Sequence, residues 1–276
     1  MDQIFFIEAA AAFLLGAVIG SFVNVLVFRY GTGADIVNGR SRCMRCGHRL
    51  GVLDLVPVFS YLFLGGRCRY CKTRISPQYP LVELSAAALS LGAFLTHPEL
   101  AAYLVALALF MALLFAVVYD LRHLSLPLPA LWVVGGAGLA AAALSCTGGV
   151  CSAAPPTPGA LMAGPFIAAP LFAFSAISGG RWMGWGDGFL ALGLGWFLGP
   201  TGGVTALCFA FWIGAVVGLA LIGLSHLPAR RGVHSPVRAG EPRFTMISEL
   251  PFAPFLMLGV LIVYFARIDL FITLIQ

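Results

Sequence analysis

Charge is what this sequence has least of. Asp, Glu, Lys and Arg together make up 10% of its 276 residues, against roughly 25% in soluble domains. Apolar residues make up 60%, well above the roughly 45–50% of a soluble chain. A soluble domain of this composition would leave much apolar surface in water, so that class is excluded. Disorder is excluded too, because it needs low hydrophobicity and high charge. What remains is a polytopic membrane protein in a lipid bilayer. Basic residues outnumber acidic ones, 16 to 11, yet nine fall between Arg29 and Arg74 and most others lie in short gaps between apolar runs. This placement marks membrane topology rather than a nucleic-acid groove, and no nucleic-acid partner is expected.

Eight apolar runs approach the roughly 20 residues needed to cross a bilayer. They cover 4–28, 81–96, 101–119, 127–145, 159–178, 188–200, 204–225 and 250–268. The sixth is short and glycine-rich, which points to a broken or tilted helix. The first has no basic n-region and no A-x-A-like site after it, so it reads as a retained helix. The expected fold class is an all-α polytopic membrane protein. About eight transmembrane helices would carry a small zinc-binding cytoplasmic domain between the first and second. The chain then divides into a first helix over 1–28, a loop domain over 29–80 and a membrane domain of about seven helices over 81–276.

Eight passes put both termini on one side. The segments 29–80, 120–126, 179–187 and 226–249 then share the other side and hold 15 of the 16 basic residues. The positive-inside rule makes that side cytoplasmic and places the termini outside. The stretch 228–247, rich in Arg, Pro and Gly, reads as a cytoplasmic loop.

Cysteines form two groups. Cys43-x-x-Cys46 and Cys68-x-x-Cys71 are two knuckles with 21 residues between them. Four thiolates at this spacing match a tetrahedral structural zinc site. A disulfide framework fits poorly in a reducing cytoplasmic loop. The loop has few apolar residues of its own, so metal binding would supply much of its folding free energy. Cys146 and Cys151 lie in an outward loop, where a disulfide and two free thiols are equally open readings. Cys208 reads as a small core residue.

Acids are rare enough for each to be weighed. Asp120 ends the third apolar run, and Asp187 opens the sixth within Gly184-Trp185-Gly186-Asp187-Gly188. Topology puts both at the cytoplasmic edge, and ionisable groups at membrane depth are functional candidates by default. Two carboxylates brought together share one proton. One can then act as base on a water while the other polarises a peptide carbonyl. The alternative is that each caps a helix end, which suits Asp187 but not Asp120. The flanking glycines would let an extended backbone approach. Glu83 and Glu249, also at span edges, are expected to pair with arginines of the basic loop. His123 is either a proton partner of Asp120 or a solvated side chain.

Together these pieces resemble the type IV prepilin peptidase family, the bifunctional leader peptidases and N-methyltransferases of type IV pilus and type II secretion systems. The resemblance runs nearly end to end. It is carried by Gly20-Ser21-Phe22-Val23-Asn24-Val25 with Arg29, by Asp54-Leu55-Val56-Pro57-Val58-Phe59-Ser60-Tyr61-Leu62, and by Gly66-Arg67-Cys68-Arg69-Tyr70-Cys71. Ile75-Ser76, Tyr79-Pro80-Leu81-Val82-Glu83-Leu84, Asp120-Leu121-Arg122 with Pro127, the G-x-G-D element at 184–187, and Pro251-Phe252-Ala253-Pro254-Phe255-Leu256 complete it. The resemblance implies an aspartic endopeptidase with Asp120 and Asp187 as the catalytic pair. It implies zinc on Cys43, Cys46, Cys68 and Cys71. It also implies prepilin or pseudopilin substrates, cleaved at the cytoplasmic edge of the bacterial inner membrane, and S-adenosylmethionine-dependent N-methylation of the new N-terminus. Both termini would be periplasmic. The chain departs from the family pattern at Phe189, where Lys is usual, and at Met44, where Pro is usual. Other G-x-G-D peptidases, of presenilin-like or archaeal preflagellin type, lack the four-cysteine loop. A membrane scaffold or transporter would carry its aspartates mid-membrane rather than at the edge.

Overall fold

A computed structural model describes residues 2–36, 39–147, 150–225 and 250–270. Glu249 and the stretch 228–247 lie outside the described residues. The chain is a helical membrane protein. Seven apolar helices are present among the described residues: α1 (Asp2–Arg29), α3 (Gln78–Thr96), α4 (Leu100–His123), α5 (Leu128–Ala143), α6 (Pro158–Ser178), α7 (Trp185–Ser225) and α8 (Ala253–Ala266). A short α2 (Phe59–Phe63) belongs to the loop after α1. Five of these helices are long and apolar enough to cross a membrane, and α5 and α8 are shorter apolar helices.

α7 covers two of the expected apolar runs, 188–200 and 204–225. Gly199, at φ 75° and ψ 179° just before Pro200, breaks the helix. A Cβ placed on Gly203 would lie 3.5 Å from the Gly195 Cα. Eight residues of unbroken helix would separate those positions by about 12 Å. The chain therefore turns back at Gly199. That φ favours glycine, and Pro200 cannot continue the helical hydrogen bonding.

Lipid gives no hydrophobic force between helices, so close packing holds them together. α4 is the central helix. Phe110, Leu109 and Leu113 on it are fully buried, and it packs against α1, α3, α5 and α8. α1 lies along α3, where the buried Ser90 hydroxyl donates to the Ala12 carbonyl at 2.6 Å and meets Tyr103 Oη at 2.9 Å. The first half of α7 packs on α5 and α6: Gly193 meets the Val134 backbone and Gly195 the Ala163 carbonyl. The second half packs on α8, where Gly259 meets Ala206. Large apolar side chains such as Trp132, Phe166, Ile177 and Trp212 remain exposed on the outside, as a lipid-facing surface requires.

One small sheet interrupts the helices. β1 (Leu144–Thr147) and β2 (Val150–Ala153) form an antiparallel hairpin in which Cys146 pairs with Cys151. These two cysteines are disulfide-bonded, which decides between the two open readings.

Candidate functional site

The same end of the bundle gathers the C-termini of α1, α4 and α6 and the N-termini of α3, α5, α7 and α8. Asp120 comes from the last turn of α4 and is 6% exposed; Asp187 comes from the first turn of α7 and is 8% exposed. Each lies within electrostatic range of the other. Asp120 sits at a helix C-terminus, where its own dipole disfavours an anion. Its partner explains the position: Asp120 Oδ2 accepts the backbone N–H of Ala253 at 3.2 Å. Ala253 opens α8, so its N–H is one of the four that a helix start leaves unpaired. Asp187 stands three residues after Gly184, and the Gly184 N–H donates to its carboxylate. Both aspartates thus face helix N-termini, Asp187 its own and Asp120 that of α8. Helix capping therefore does not exclude that the two carboxylates act together.

The turn before Asp187 is pinned from behind. The fully buried Ser175 of α6 donates to the carbonyls of Met183 at 2.9 Å and Gly184 at 3.2 Å. Ser178 accepts the Trp182 N–H at 3.2 Å. The glycines of the G-x-G-D-G stretch leave room for neighbours already in place. A Cβ on Gly186 would lie 3.0 Å from the Leu126 side chain, and one on Gly188 would lie 2.5 Å from the Phe172 ring. Phe189 packs edge-on against Phe172, ring centroids 5.0 Å apart. His123 lies against the Tyr119 ring at 4.3 Å. Sequence reasoning missed Ser175; a serine inside an otherwise apolar span was the available signal.

The four loop cysteines come together as expected from their spacing. Their Sγ atoms lie within 4.8 Å of one another, and Cys43 and Cys71 are 3.7 Å apart. Tetrahedral Zn–S bonds of about 2.3 Å put sulfurs about 3.8 Å apart, so the cluster fits zinc. The two knuckles are copies offset by 25 residues. Arg42 bridges to Arg49 as Arg67 does to Arg74, and the Gly47 N–H donates to Cys43 O as the Lys72 N–H does to Cys68 O. Lys72 takes the left-handed φ of 57° that Gly47 adopts at 69°. Between residues 39 and 77 only Gly66 and Cys68 are buried, so this domain has almost no apolar core and needs another source of stability. Backbone N–H groups of Cys46 and Arg45 push the Cys43 thiol down to about 6, and the Thr73 N–H lowers that of Cys71. Both shifts favour the thiolates that ligate metal, whereas Cys46, despite the His48 N–H, is pushed up to about 11 by burial and the neighbouring Cys43 and Cys71 thiols. Arg69 Nε holds Asp54 Oδ1 at 2.7 Å. With the Gly51 N–H it outweighs burial and keeps Asp54 below the usual carboxylate range.

Glu83 departs from expectation. In place of an arginine, its Oε2 accepts the Val58 N–H at 2.7 Å, and the Ser21 hydroxyl also donates to it. This ties the loop domain to the start of α3. Between that domain, the end of α1 and the start of α3 lies a cavity of about 760 Å³ that includes Asn24, Glu83 and Arg122 in its lining.

Residues 14–97 match the family model described as Bacterial Peptidase A24 N-terminal domain. This segment covers the second half of α1, the cysteine loop and α3. The chain is 33% identical to the prepilin leader peptidase/N-methyltransferase of Burkholderia pseudomallei strain K96243 over 281 positions, covering 91% of this chain and 83% of the relative. The chain belongs to the prepilin leader peptidase/N-methyltransferase family. It is 34% identical to the member from Aeromonas hydrophila, over 76% of this chain and 80% of that one. With the Pseudomonas putida member it shares 30% identity over 93% and 89% of the two chains. No solved structure matches it. Membership accounts for the apolar helices and the four-cysteine loop together.

Proposed function

We propose that this protein removes the leader from type IV prepilins or pseudopilins and then methylates the new N-terminus. Asp120 and Asp187 are the catalytic pair. One carboxylate takes a proton from a water, which attacks the scissile carbonyl; the other, protonated, donates to the carbonyl oxygen. The observation that carries this reading is the meeting of two buried carboxylates from distant parts of the chain at one end of the bundle. Ala253 N–H and Gly184 N–H hold the two side chains in place, and Ser175 fixes the turn that carries Asp187.

The pair faces the cytoplasmic side of the bacterial inner membrane, with both termini periplasmic. The basic residues of the loop domain, Arg122 and Arg181 crowd toward that same end, which supports this orientation. Cys43, Cys46, Cys68 and Cys71 hold a structural zinc, because four closed thiolate positions leave no open site for catalysis. S-adenosylmethionine, when bound, supplies the methyl group. The methyltransferase half of the reading is supported by the names of the relatives and by a cavity of suitable volume beside the loop domain.

The test uses the purified full chain with a prepilin substrate, read by mass spectrometry with and without S-adenosylmethionine. Leader loss that disappears in Asp120→Asn and Asp187→Asn, with both variants still membrane-inserted, is the expected result. Normal processing by either variant overturns the assignment of the pair.

A further inference from the structure

We infer that the outer face of the loop domain, Phe59, Leu62 and Phe63 of α2 with Val52 and Leu53 before it, sits in the lipid interface, with Arg67 and Arg74 beside it on anionic headgroups. The partner is the bilayer surface itself, and the contact goes beyond both proposed reactions.

The face is apolar and open. Phe63 is 87% and Val52 84% exposed, and Leu53, Phe59 and Leu62 are exposed as well. In α2, positions 59, 62 and 63 share one helical face, and 60 and 64 share another. Ser60, Tyr61 and Leu64 line the cavity under the loop domain, whereas Phe59, Leu62 and Phe63 do not. The large apolar side chains thus point away from that cavity. In water, such a cluster of exposed apolar side chains marks a binding surface.

Depth decides what covers it. α3 has 19 residues, about 28 Å of helix against about 30 Å of hydrocarbon. It has no length to spare, so Gln78 at its start lies at the hydrocarbon edge. Glu83 is five residues further on, about 7.5 Å deeper. Its side chain leans back toward the helix start, and its carboxylate accepts the Val58 N–H at 2.7 Å. Val58 is the residue that opens α2. α2 is therefore pinned at the boundary of headgroups and acyl chains, the depth at which amphipathic helices lie on a membrane. Leu81 and Leu84 of α3 are exposed at the same level, as lipid contact requires. A prepilin helix suits this face less well. α3 packs on α1 and α4, whereas Asp187 lies on α7, which packs on α5, α6 and α8.

Charge agrees with depth. The Gly66 N–H donates to Tyr61 O at the end of α2, and the Ile75 N–H donates to Gly66 O. The arms of the second knuckle thus run from α2 to Pro77, which caps α3. Arg67 and Arg74 are bridged across these arms. Both are exposed and line an open cleft of about 660 Å³ with Gly65, Ser76 and Pro77. Like charges directly opposite each other repel. A phosphate between them removes the repulsion and accepts from both guanidinium groups. Arg42 and Arg49 repeat the pair on the first knuckle, but the second knuckle is the one that leads into a membrane helix.

The experiment places the photocrosslinker p-benzoylphenylalanine at Phe63 and, in a second protein, at Tyr70 on the tip of the second knuckle. Both side chains are exposed aromatics, so the exchange leaves the fold in place. The full chain is reconstituted in equimolar phosphatidylglycerol and phosphatidylcholine, irradiated and read by mass spectrometry. Position 63 is expected to gain the mass of a phospholipid, and position 70 is not. The adducts at 63 are expected to favour phosphatidylglycerol about 5-fold, the share of one arginine near an anionic surface. That preference should approach parity when Arg67→Gln and Arg74→Gln are combined. No lipid on position 63, or equal labelling of 63 and 70, overturns the membrane contact. Parity of the two lipids with both arginines present overturns the headgroup site. A prepilin adduct at 63 that replaces the lipid adduct assigns the face to the substrate and overturns the inference.

Discussion

Gly193→Ala tests how the two halves of the site are held together. Gly193 lies on the first half of α7, six residues after Asp187, against α5. A Cβ there would stand 2.7 Å from both the carbonyl carbon and the oxygen of Val134 and 2.8 Å from the Gly135 nitrogen. All three atoms are backbone, so no side-chain rotation relieves the contact. An ordinary contact begins near 3.4 Å, and α5 and α7 must therefore move apart by about 0.7 Å. Overpacking of this kind costs about 1–3 kcal/mol, and the backbone contact puts this case at the upper end. At 2–4 °C per kcal/mol for a large domain, a fall of roughly 5–10 °C in Tm is expected. Leader removal should fall as well, because Asp187 moves with α7. Gly136→Ala, on the same stretch of α5, is the control. A Cβ there meets nothing within 4 Å, and replacing a helical glycine is worth about 0.5–1 kcal/mol of stability. Thermal unfolding in one detergent, with leader removal measured on the same samples, decides the matter. Equal melting of Gly193→Ala and wild type, or equal damage from both substitutions, would refute the packing argument.

The remaining predictions concern the cysteine loop and the turn before Asp187. One zinc per chain is expected by metal analysis, and Cys68→Ser, which alters the only buried ligand, should abolish it. Zinc must displace the proton of every thiol that still carries one, Cys46 above all, so its affinity falls as pH falls, and a competition titration with a chromophoric chelator from pH 7 to 5 should show the loss. Ser175→Ala removes the donor to two carbonyls and should cost about 1–3 kcal/mol. It should also slow leader removal, while retained wild-type stability and rate would show that the 183–184 turn holds without it.

The spans were legible in the sequence because lipid demands long apolar runs, and the cysteine cluster because ligand geometry demands fixed spacing. Topology put Asp120 and Asp187 at one edge of the bundle but left a carboxylate pair and two separate helix caps equally open. The partners of these residues were not legible. Glu83 answers to the Val58 N–H and Asp120 to the Ala253 N–H, and a backbone donor has no residue type to read. Arginine was the natural guess for Glu83 because charge is visible in a sequence and an unpaired N–H is not. The glycines around Asp187 pointed to an approaching substrate, yet Gly186 and Gly188 make room for Leu126 and Phe172. Open backbone looks the same in sequence whatever fills it. The reversal at Gly199 was only partly legible, since the short sixth run marked a break without showing that the two helices are joined at one residue.

The hydrogen bond from Ala253 to Asp120 spans 133 residues. Its consequence lies in biosynthesis. A chain emerging from the ribosome delivers α4 to the bilayer long before α8 exists, so Asp120 enters the membrane edge without its donor. The carboxylate acquires its fixed geometry only after the last of these helices has been translated and inserted. A chain that stops short of α8 therefore carries Asp120 without the backbone donor that holds it.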